Sequence, residues 1–420
     1  MADACSVWYL AFQRAPPQRC VASSSVPISA NLTTDLREAQ YFPEASPIQL
    51  HYTWIKRTAL PSGTDSLFRF QYCFVQHAAT TAWSGPQSAF ETVSVKVPTY
   101  ALVKKLATER ASLRLALYHA EEPLSESASE EEVFKTLSFS VDRIWAKDGA
   151  NICPLISIPL TILDDKASRP PQPGLPTRAN DTVRILTDAA AGWTVNVRES
   201  SGYELDKHIW DASHLLGSYL SRSLSLQPPN QPEWVQRLLA HDSQEIFRVI
   251  ELGSGTGCTA LSLAAMVALL SRRLSIHATD LESADEILRQ NRADNFIEHD
   301  QLPVHISALD WTLSKKDIEA WLQDHLHGAV PDLILISDCT YNPDYFVPLA
   351  NVIAIIASAS TTVLLSKKHR HADEEQLWGR LADAALEATL VLGQDPSGED
   401  YHGMGLYSIA HKQAPPPINA

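Results

Sequence analysis

The stretch Phe247-Arg248-Val249-Ile250-Glu251-Leu252-Gly253-Ser254-Gly255-Thr256-Gly257 decides how the C-terminal half of the chain reads. Apolar, largely β-branched residues lead into glycines at every second position, and a helix-forming run, Thr259–Leu270, follows. Strand, glycine loop and helix form a nucleotide-type arrangement. Glycine permits the tight turn and lets a ligand approach the backbone, and the helix start offers free N–H groups. The spacing is G-x-G-x-G, not the G-x-G-x-x-G of a dinucleotide fold. Glu251 ends the strand, and a carboxylate there repels phosphate but attracts a cationic group. The plain alternative is a glycine-rich turn with no ligand.

On both sides of this stretch, short apolar runs alternate with helical ones. Ile246–Ile250, Leu274–Ala278, Leu333–Ile336 and Thr362–Ser366 read as buried parallel strands, with Pro303–Leu309 as another. Thr259–Leu270, Ser283–Ala293, Lys316–Leu326 and Asp373–Ala388 read as helices, and Thr389–Gly393 and Gly405–His411 as closing strands. This βαβ alternation predicts an α/β, Rossmann-like, doubly wound sheet. The second strand ends in Thr279-Asp280-Leu281, where an acid can accept hydrogen bonds from both ribose hydroxyls; a helix cap is the alternative. Asp310-Trp311 follows the third strand. The indole can lie flat against adenine while Asp310 reads its edge, or it can be core. A cationic amino-acid end met by Glu251 and a ribose met by Asp280 point to S-adenosylmethionine.

The N-terminal half has a different period. Phe68, Phe70, Tyr72 and Phe74 alternate with polar residues, as do Val93, Val95 and Val97, and Leu113, Leu115 and Leu117 around Arg114. Val133–Val141 and Ile152–Leu160 are further strand candidates. Alternation of this kind predicts a β-rich domain, a sandwich or curved sheet. Glu121–Glu132, with six glutamates, reads as a solvated loop or, more sharply, an acidic docking arm. The segment 168–180 is proline-rich and reads as a linker. The expected organisation is therefore a β-rich domain at 1–167, a linker at 168–180, the α/β domain at 181–413 and a tail at 414–420.

The chain has 420 residues, 34 Lys+Arg against 49 Asp+Glu, and a net charge of −15. That balance disfavours a nucleic-acid binder working by bulk charge. The six cysteines are scattered, with no metal-ligand spacing, and read as reduced thiols of a cytoplasmic protein. No metal, no membrane span and no signal peptide are expected.

Four features, in order, resemble the family-16 seven-strand protein lysine methyltransferases of eukaryotes. They are Trp210-Asp211-Ala212-Ser213, the Glu251–Gly257 loop, Thr279-Asp280-Leu281 with Asn291 and Asn295 beyond it, and Asp338-Cys339-Thr340-Tyr341. The resemblance spans about Val183–His411. It implies S-adenosylmethionine bound by Trp210, Glu251, Gly253, Ser254, Gly255, Gly257, Asp280, Leu281, Asp310, Trp311 and Ser337, with Trp210 closing over the methionine portion. It implies catalysis by Asp338, which would hold the lysine amine, and Tyr341, which would flank it. The length resembles members with an N-terminal extension that act on translation elongation factors, so a monomer acting on such a protein substrate is the expectation. The family's usual Thr-Gly before the tryptophan is absent; Ser201-Gly202-Tyr203 stands upstream instead.

Other readings stay open on the residues. Asp338 can be a cap and Tyr341 core. The nucleophile methylated can be a histidine or a small molecule, or the fold can be a catalytically silent binding module. Lys367-Lys368-His369-Arg370-His371 reads as a solvated basic loop or a dock for an acidic face; the family resemblance implies an arginine here, Arg370, paired with an acid such as Glu375. Cys258 and Cys339 read as small packing residues, since neither has an evident base.

Overall fold

Alternating apolar residues in the N-terminal half do form strands, and the pairing shows why both faces of one sheet are apolar. The computed structural model describes residues 7–36, 39–43, 46–59, 70–109, 111–145, 151–164, 181–200, 204–240, 245–270, 272–295, 303–393 and 403–412. Chain contacts divide it into two units, 1–208 with 293–297, and 209–292 with 298–420.

In the first unit, strands 93–96, 25–33, 8–14 and 152–153 make one sheet in that order. Strands 193–200, 181–188, 155–157, 112–119, 48–59 and 70–83 make a second, with 138–140 paired beside 181–188, and 161–163 pairs with 19–21 in a small third. Leu10, Ile28 and Leu32 of the first sheet share a core with Tyr52, Trp54, Leu115 and Leu117 of the second. The outer face of the second sheet is covered as well: Tyr118, Val133, Leu137 and Ile185 form a separate cluster. Phe68 lies outside the described residues.

Three expectations change here. Val133–Val141 is not a strand: Glu130–Leu137 is a helix, followed by the short strand Ser138–Ser140. Ser129 and Glu132 form a reciprocal capping box, and Val133 and Leu137, four apart, are the helix's buried residues. The last three acids of Glu121–Glu132 are thus a helix start rather than loop. Ile152–Leu160 is broken at Pro154, which has no N–H for a ladder, and its parts 152–153 and 155–157 join different sheets.

The third change concerns the boundary. The segment 168–180 lies outside the described residues, and the units divide after His208 instead. Asp181–Asp188 and Trp193–Ser200, expected in the α/β domain, form a hairpin that extends the β-rich sheet through Leu155–Ser157. Arg184 fixes that placement. Its Nε donates to Glu199 Oε1 at 2.6 Å, and its Nη atoms donate to the carbonyls of Leu10, Cys153 and Pro154. One buried guanidinium thus ties strand 181–188 to both sheets.

The second unit is a seven-stranded sheet. Its strands are β1 (Phe247–Leu252), β2 (Leu274–Asp280), β3 (Val304–Ala308), β4 (Leu333–Ser337), β5 (Thr362–Lys368), β6 (Leu386–Leu392) and β7 (Met404–His411). The spatial order is β3-β2-β1-β4-β5-β7-β6. β1 to β5 run parallel and β7 is antiparallel to both its neighbours. The helices are α1 (Asp211–Ser225), α2 (Glu233–Ala240), α3 (Cys258–Ala268), α4 (Asp285–Asn295), α5 (Lys315–Leu326), α6 (Phe346–Ile356) and α7 (Gln376–Asp383). This is the Rossmann-like seven-stranded architecture expected, preceded by a β-rich domain.

Two boundaries moved. The run Asp373–Ala388 is a short helical turn, Ala372–Glu375, then α7; Ala385 at φ 58° ends it and β6 starts at Leu386. The apolar run after Asn351 hid α6, nearly all of whose length is apolar because it is buried against β4 and β5. Among the described residues, no helix is long and apolar enough to cross a membrane.

Candidate functional site

The strand order reverses between β1 and β4, so the loops leaving these strands flank the crevice where open α/β sheets take ligands. Gly253, Gly255 and Gly257 have φ of 70°, 51° and 76°, a region costly to residues with a Cβ. At Gly253 a Cβ would also collide with Cys339 Sγ and come within 3.2 Å of the Trp311 ring. The close approach of these groups, and not the turn alone, demands glycine there. The loop is laced to its surroundings. Gly255 N donates to Asp280 Oδ2 at 2.7 Å, Ser254 N donates to Thr279 O at 2.9 Å, and Asn291 of α4 donates to Thr256 O at 2.8 Å.

Asp280 ends β2 with each carboxylate oxygen taking one backbone N–H, Oδ2 from Gly255 and Oδ1 from Leu281. Leu281 is 48 % exposed beside it. A cleft of about 410 Å³ opens here, lined by Asp280, Leu281, Asp285, Arg289 and Ala308 among others. Asp310 spends one oxygen on the N–H and hydroxyl of Thr312, at 2.8 and 2.7 Å, and so shapes the turn that carries Trp311 to the glycine loop.

Glu251 differs from a simple cation receptor. Its carboxyl is buried and accepts from Ala260 N, in the first turn of α3, at 3.1 Å. Burial pushes its pKa up to about 7, against the hydrogen bonds from Ser254, Thr259 and Ala260. It pins the strand end to the helix start and shapes the loop from behind.

The loop after β4 carries Asp338. Its φ of 56° is left-handed, a conformation aspartate tolerates better than most residues and one that concentrates at functional turns. Its N–H donates to Ser366 O of β5 at 2.8 Å. Its carboxylate is buried: Oδ1 accepts from Lys368 N at 3.1 Å and Arg370 Nη1 at 2.8 Å, and Oδ2 forms an ion pair with Arg370 Nη2 at 2.7 Å. The guanidinium carbon lies 5.4 Å from the centre of the Trp210 ring. Tyr341 is 57 % exposed, so it is not core. Cys339 is buried, its thiol pushed well up by burial with help from Asp280, Asp338 and Glu251, which suits packing and not nucleophilic chemistry.

Residues 367–370 of the basic run are paired with acids rather than left to solvent. Lys367 pairs with Glu374 at 2.8 Å, Lys368 with Asp211 at 2.6 Å, His369 with Glu375 at 3.5 Å, and Arg370 with Asp338. The expected Arg370–Glu375 pair is therefore replaced: Glu375 serves His369 and accepts from Trp378 Nε1 at 3.0 Å. Period 2 along the end of β5 sends successive cations to opposite faces, which is the sequence feature that could have separated Lys367 from Lys368.

The Trp-Asp-Ala-Ser element is anchored by the same strands. Asp211 is wholly buried on Lys368, the Ala212 carbonyl accepts from Ser366 Oγ at 2.9 Å, and Ser213 Oγ lies 3.1 Å from Ser337 Oγ. Trp210, just before α1, is thus held at the carboxyl edge of β4 and β5. Sequence reasoning singled out Trp210, Ser337 and Asp338 but missed the Lys368, Ser213 and Arg370 contacts that fix them. The glycine cradle, the carboxylate of Asp280 at the end of β2 and the Trp311 ring beside Gly253 fit S-adenosylmethionine.

Fold and site together define a Rossmann-like seven-stranded domain with a glycine cradle at its switch point. Residues 190–384 match a family described as "Lysine methyltransferase". The chain is 34 % identical over 129 residues to Protein N-lysine methyltransferase METTL21A of Danio rerio, covering 31 % of this chain and 53 % of that one. It is 29 % identical over 164 residues to the METTL21A of Xenopus tropicalis, covering 39 % and 60 %. The matched region thus spans little more than half of those relatives. An O-methyltransferase family protein from Burkholderia thailandensis matches at 12 % identity and a TM-score of 0.32, covering 49 % of this chain and 58 % of that one. So low a score adds nothing to the sheet order.

Proposed function

We propose that the second unit is an S-adenosylmethionine-dependent protein-lysine N-methyltransferase, acting on a cytosolic protein for which a translation elongation factor is the first candidate. The single observation that carries this reading is the convergence of the β1 glycine loop with Asp338 at the switch point of the sheet. The named activity of the METTL21A relatives supports carrying lysine to this chain.

Bound there, the cofactor supplies an electrophilic methyl group on a sulfonium. The chain's residues then have little covalent work to do: they align the nucleophile, exclude water and favour the free amine. Gly253, Ser254, Gly255 and Gly257 let the backbone cradle the cofactor, Glu251 shapes the loop, and Asp280 takes the ribose with Leu281 beside it. Trp311 and Asp310 take the adenine. Trp210 covers the methionine portion, with Ser337 lining the strand end beneath. Asp338 accepts a hydrogen bond from the amine, and the exposed ring of Tyr341 flanks the lysine stem. The net charge of −15 fits a protein substrate better than nucleic acid. A cytoplasmic monomer free of membranes completes the reading.

The test is incubation with methyl-labelled S-adenosylmethionine and a lysate lacking this chain, followed by mass spectrometry of the labelled protein. Asp338→Ala should lose labelling by about a hundredfold or more, the scale of a lost transition-state contact, while calorimetry shows cofactor binding retained. Undiminished labelling by the variant sinks the role of Asp338. Label on histidine or a small molecule sinks lysine as the acceptor.

A further inference from the structure

The carboxylate assigned to the substrate amine is already bound to a cation. Both oxygens of Asp338 meet Arg370, at 2.8 and 2.7 Å, and the guanidinium also lies over Trp210. This matters for a lysine nucleophile. Only the free amine attacks, and a lone carboxylate nearby would stabilise the unreactive ammonium. A fixed cation nearby does the opposite, and is one way that enzymes make a lysine reactive at neutral pH.

We propose that Arg370 is a positioning residue that neutralises Asp338, so that the substrate amine meets a hydrogen-bonding pair of zero net charge and enters as the free base. The inference rests on the lysine methyltransferase reading. A guanidinium stays charged at every working pH, so the neutralisation does not titrate away. The guanidinium meets both carboxylate oxygens, hydrogen-bonding Oδ1, and Lys368 N fixes Oδ1 from the side. The other charges around this point are committed elsewhere. Lys368 Nζ is on Asp211, Lys367 on Glu374 and His369 on Glu375, and Glu374 Oε1 also accepts from Arg370 N at 3.1 Å. Asp280 and Glu251 lie on the cofactor side, where each is bonded to backbone N–H groups. Trp210 contributes a ring face and Tyr341 an exposed phenol.

The experiment is the pH dependence of methylation, from about pH 6.5 to about pH 9.5, a range that ends below the ordinary lysine pKa. It uses the full chain, saturating methyl-labelled S-adenosylmethionine, and soluble protein from cells lacking this chain as the substrate pool. Wild type, Arg370→Gln and Arg370→Lys are compared. In Arg370→Gln the rising limb should move up by about one pH unit, so that the rate is roughly tenfold lower at neutral pH and converges on wild type when alkaline. Arg370→Lys keeps the charge without the fork, and its limb should stay with wild type even if its rate is lower. A uniform slowing of Arg370→Gln at every pH overturns the proposal, because a merely structural residue would do that. If calorimetry shows that Arg370→Gln no longer binds the cofactor, Arg370→Lys decides: a limb shared with wild type supports the proposal and a shifted limb overturns it. Wild type that labels no lysine overturns the underlying reading itself, whereas labelling with an unmoved limb in Arg370→Gln overturns only the role of Arg370.

Discussion

Glu199 in the first unit and Glu251 in the second are both fully buried, yet their acidities lie on opposite sides of the ordinary carboxylate value. At Glu199 burial pushes the pKa up, but Arg184 and His208 outweigh it and hold the group down at about 2. At Glu251 burial again pushes up, and hydrogen bonds from Ser254, Thr259 and Ala260 leave it at about 7. The difference is a guanidinium 2.6 Å away in one case and backbone and hydroxyl donors in the other. Burial sets the cost of a charge, and the partner decides whether the charge is kept. Asp338 likewise has a guanidinium as its partner, that of Arg370 at 2.7 Å.

The comparison can be broken most severely at Arg184. Arg184→Met leaves Glu199 buried without its guanidinium and removes the donors to Leu10, Cys153 and Pro154. The first unit should lose about 3–5 kcal/mol, read by urea unfolding, with a second substitution, Glu199→Gln, recovering much of the loss. A loss under about 1 kcal/mol would mean that the pair holds little in place.

A smaller effect, opposite in sign, is expected at Glu251. An acid whose pKa is raised by folding binds its proton more tightly when folded. The fold is therefore favoured at low pH and loses stability as pH climbs from the ordinary 4.5 towards 7. Glu251→Gln keeps an acceptor for Ala260 N and should gain about 1–3 kcal/mol above pH ~8, with the gain vanishing near pH ~4. Melting curves at the two pH values check this.

Glu199 gives the mirror image within wild type. Its pKa is depressed, so its contribution is present above pH 4.5 and is lost as pH falls towards 2. Glu199→Gln should flatten that part of the acid-unfolding profile. The smallest effect belongs to an exposed cap: Ser129→Ala removes one half of a capping box on the helix Glu130–Leu137 and should cost about 1 kcal/mol. Unfolding by denaturant measures it.

How much was legible depended on whether a residue's role is local. The glycine loop was legible because three positive-φ positions and a following helix are written in consecutive residues. Val133 and Leu137 were misassigned because apolar residues four apart fit either period over so short a run, and the deciding cap, Ser129 with Glu132, lay inside what read as an acidic loop. The hairpin 181–200 was not singled out as strands, and nothing in its alternation says which sheet it extends. That was decided by Arg184, whose carbonyl acceptors lie at Leu10, Cys153 and Pro154, far away in the chain.

By itself the sequence determined the α/β alternation, the β-rich first half, the glycine cradle and the residues that meet at the switch point. Each follows from short-range pattern: period, turn chemistry and strand-end acids. Only the tertiary structure decided which charge answers which. Lys367, Lys368, His369 and Arg370 are neighbours in the chain but are answered by Glu374, Asp211, Glu375 and Asp338, which the fold brings from three different segments. A charge that packing takes from water is costly unless an opposite charge meets it, and sequence distance places no limit on which one does.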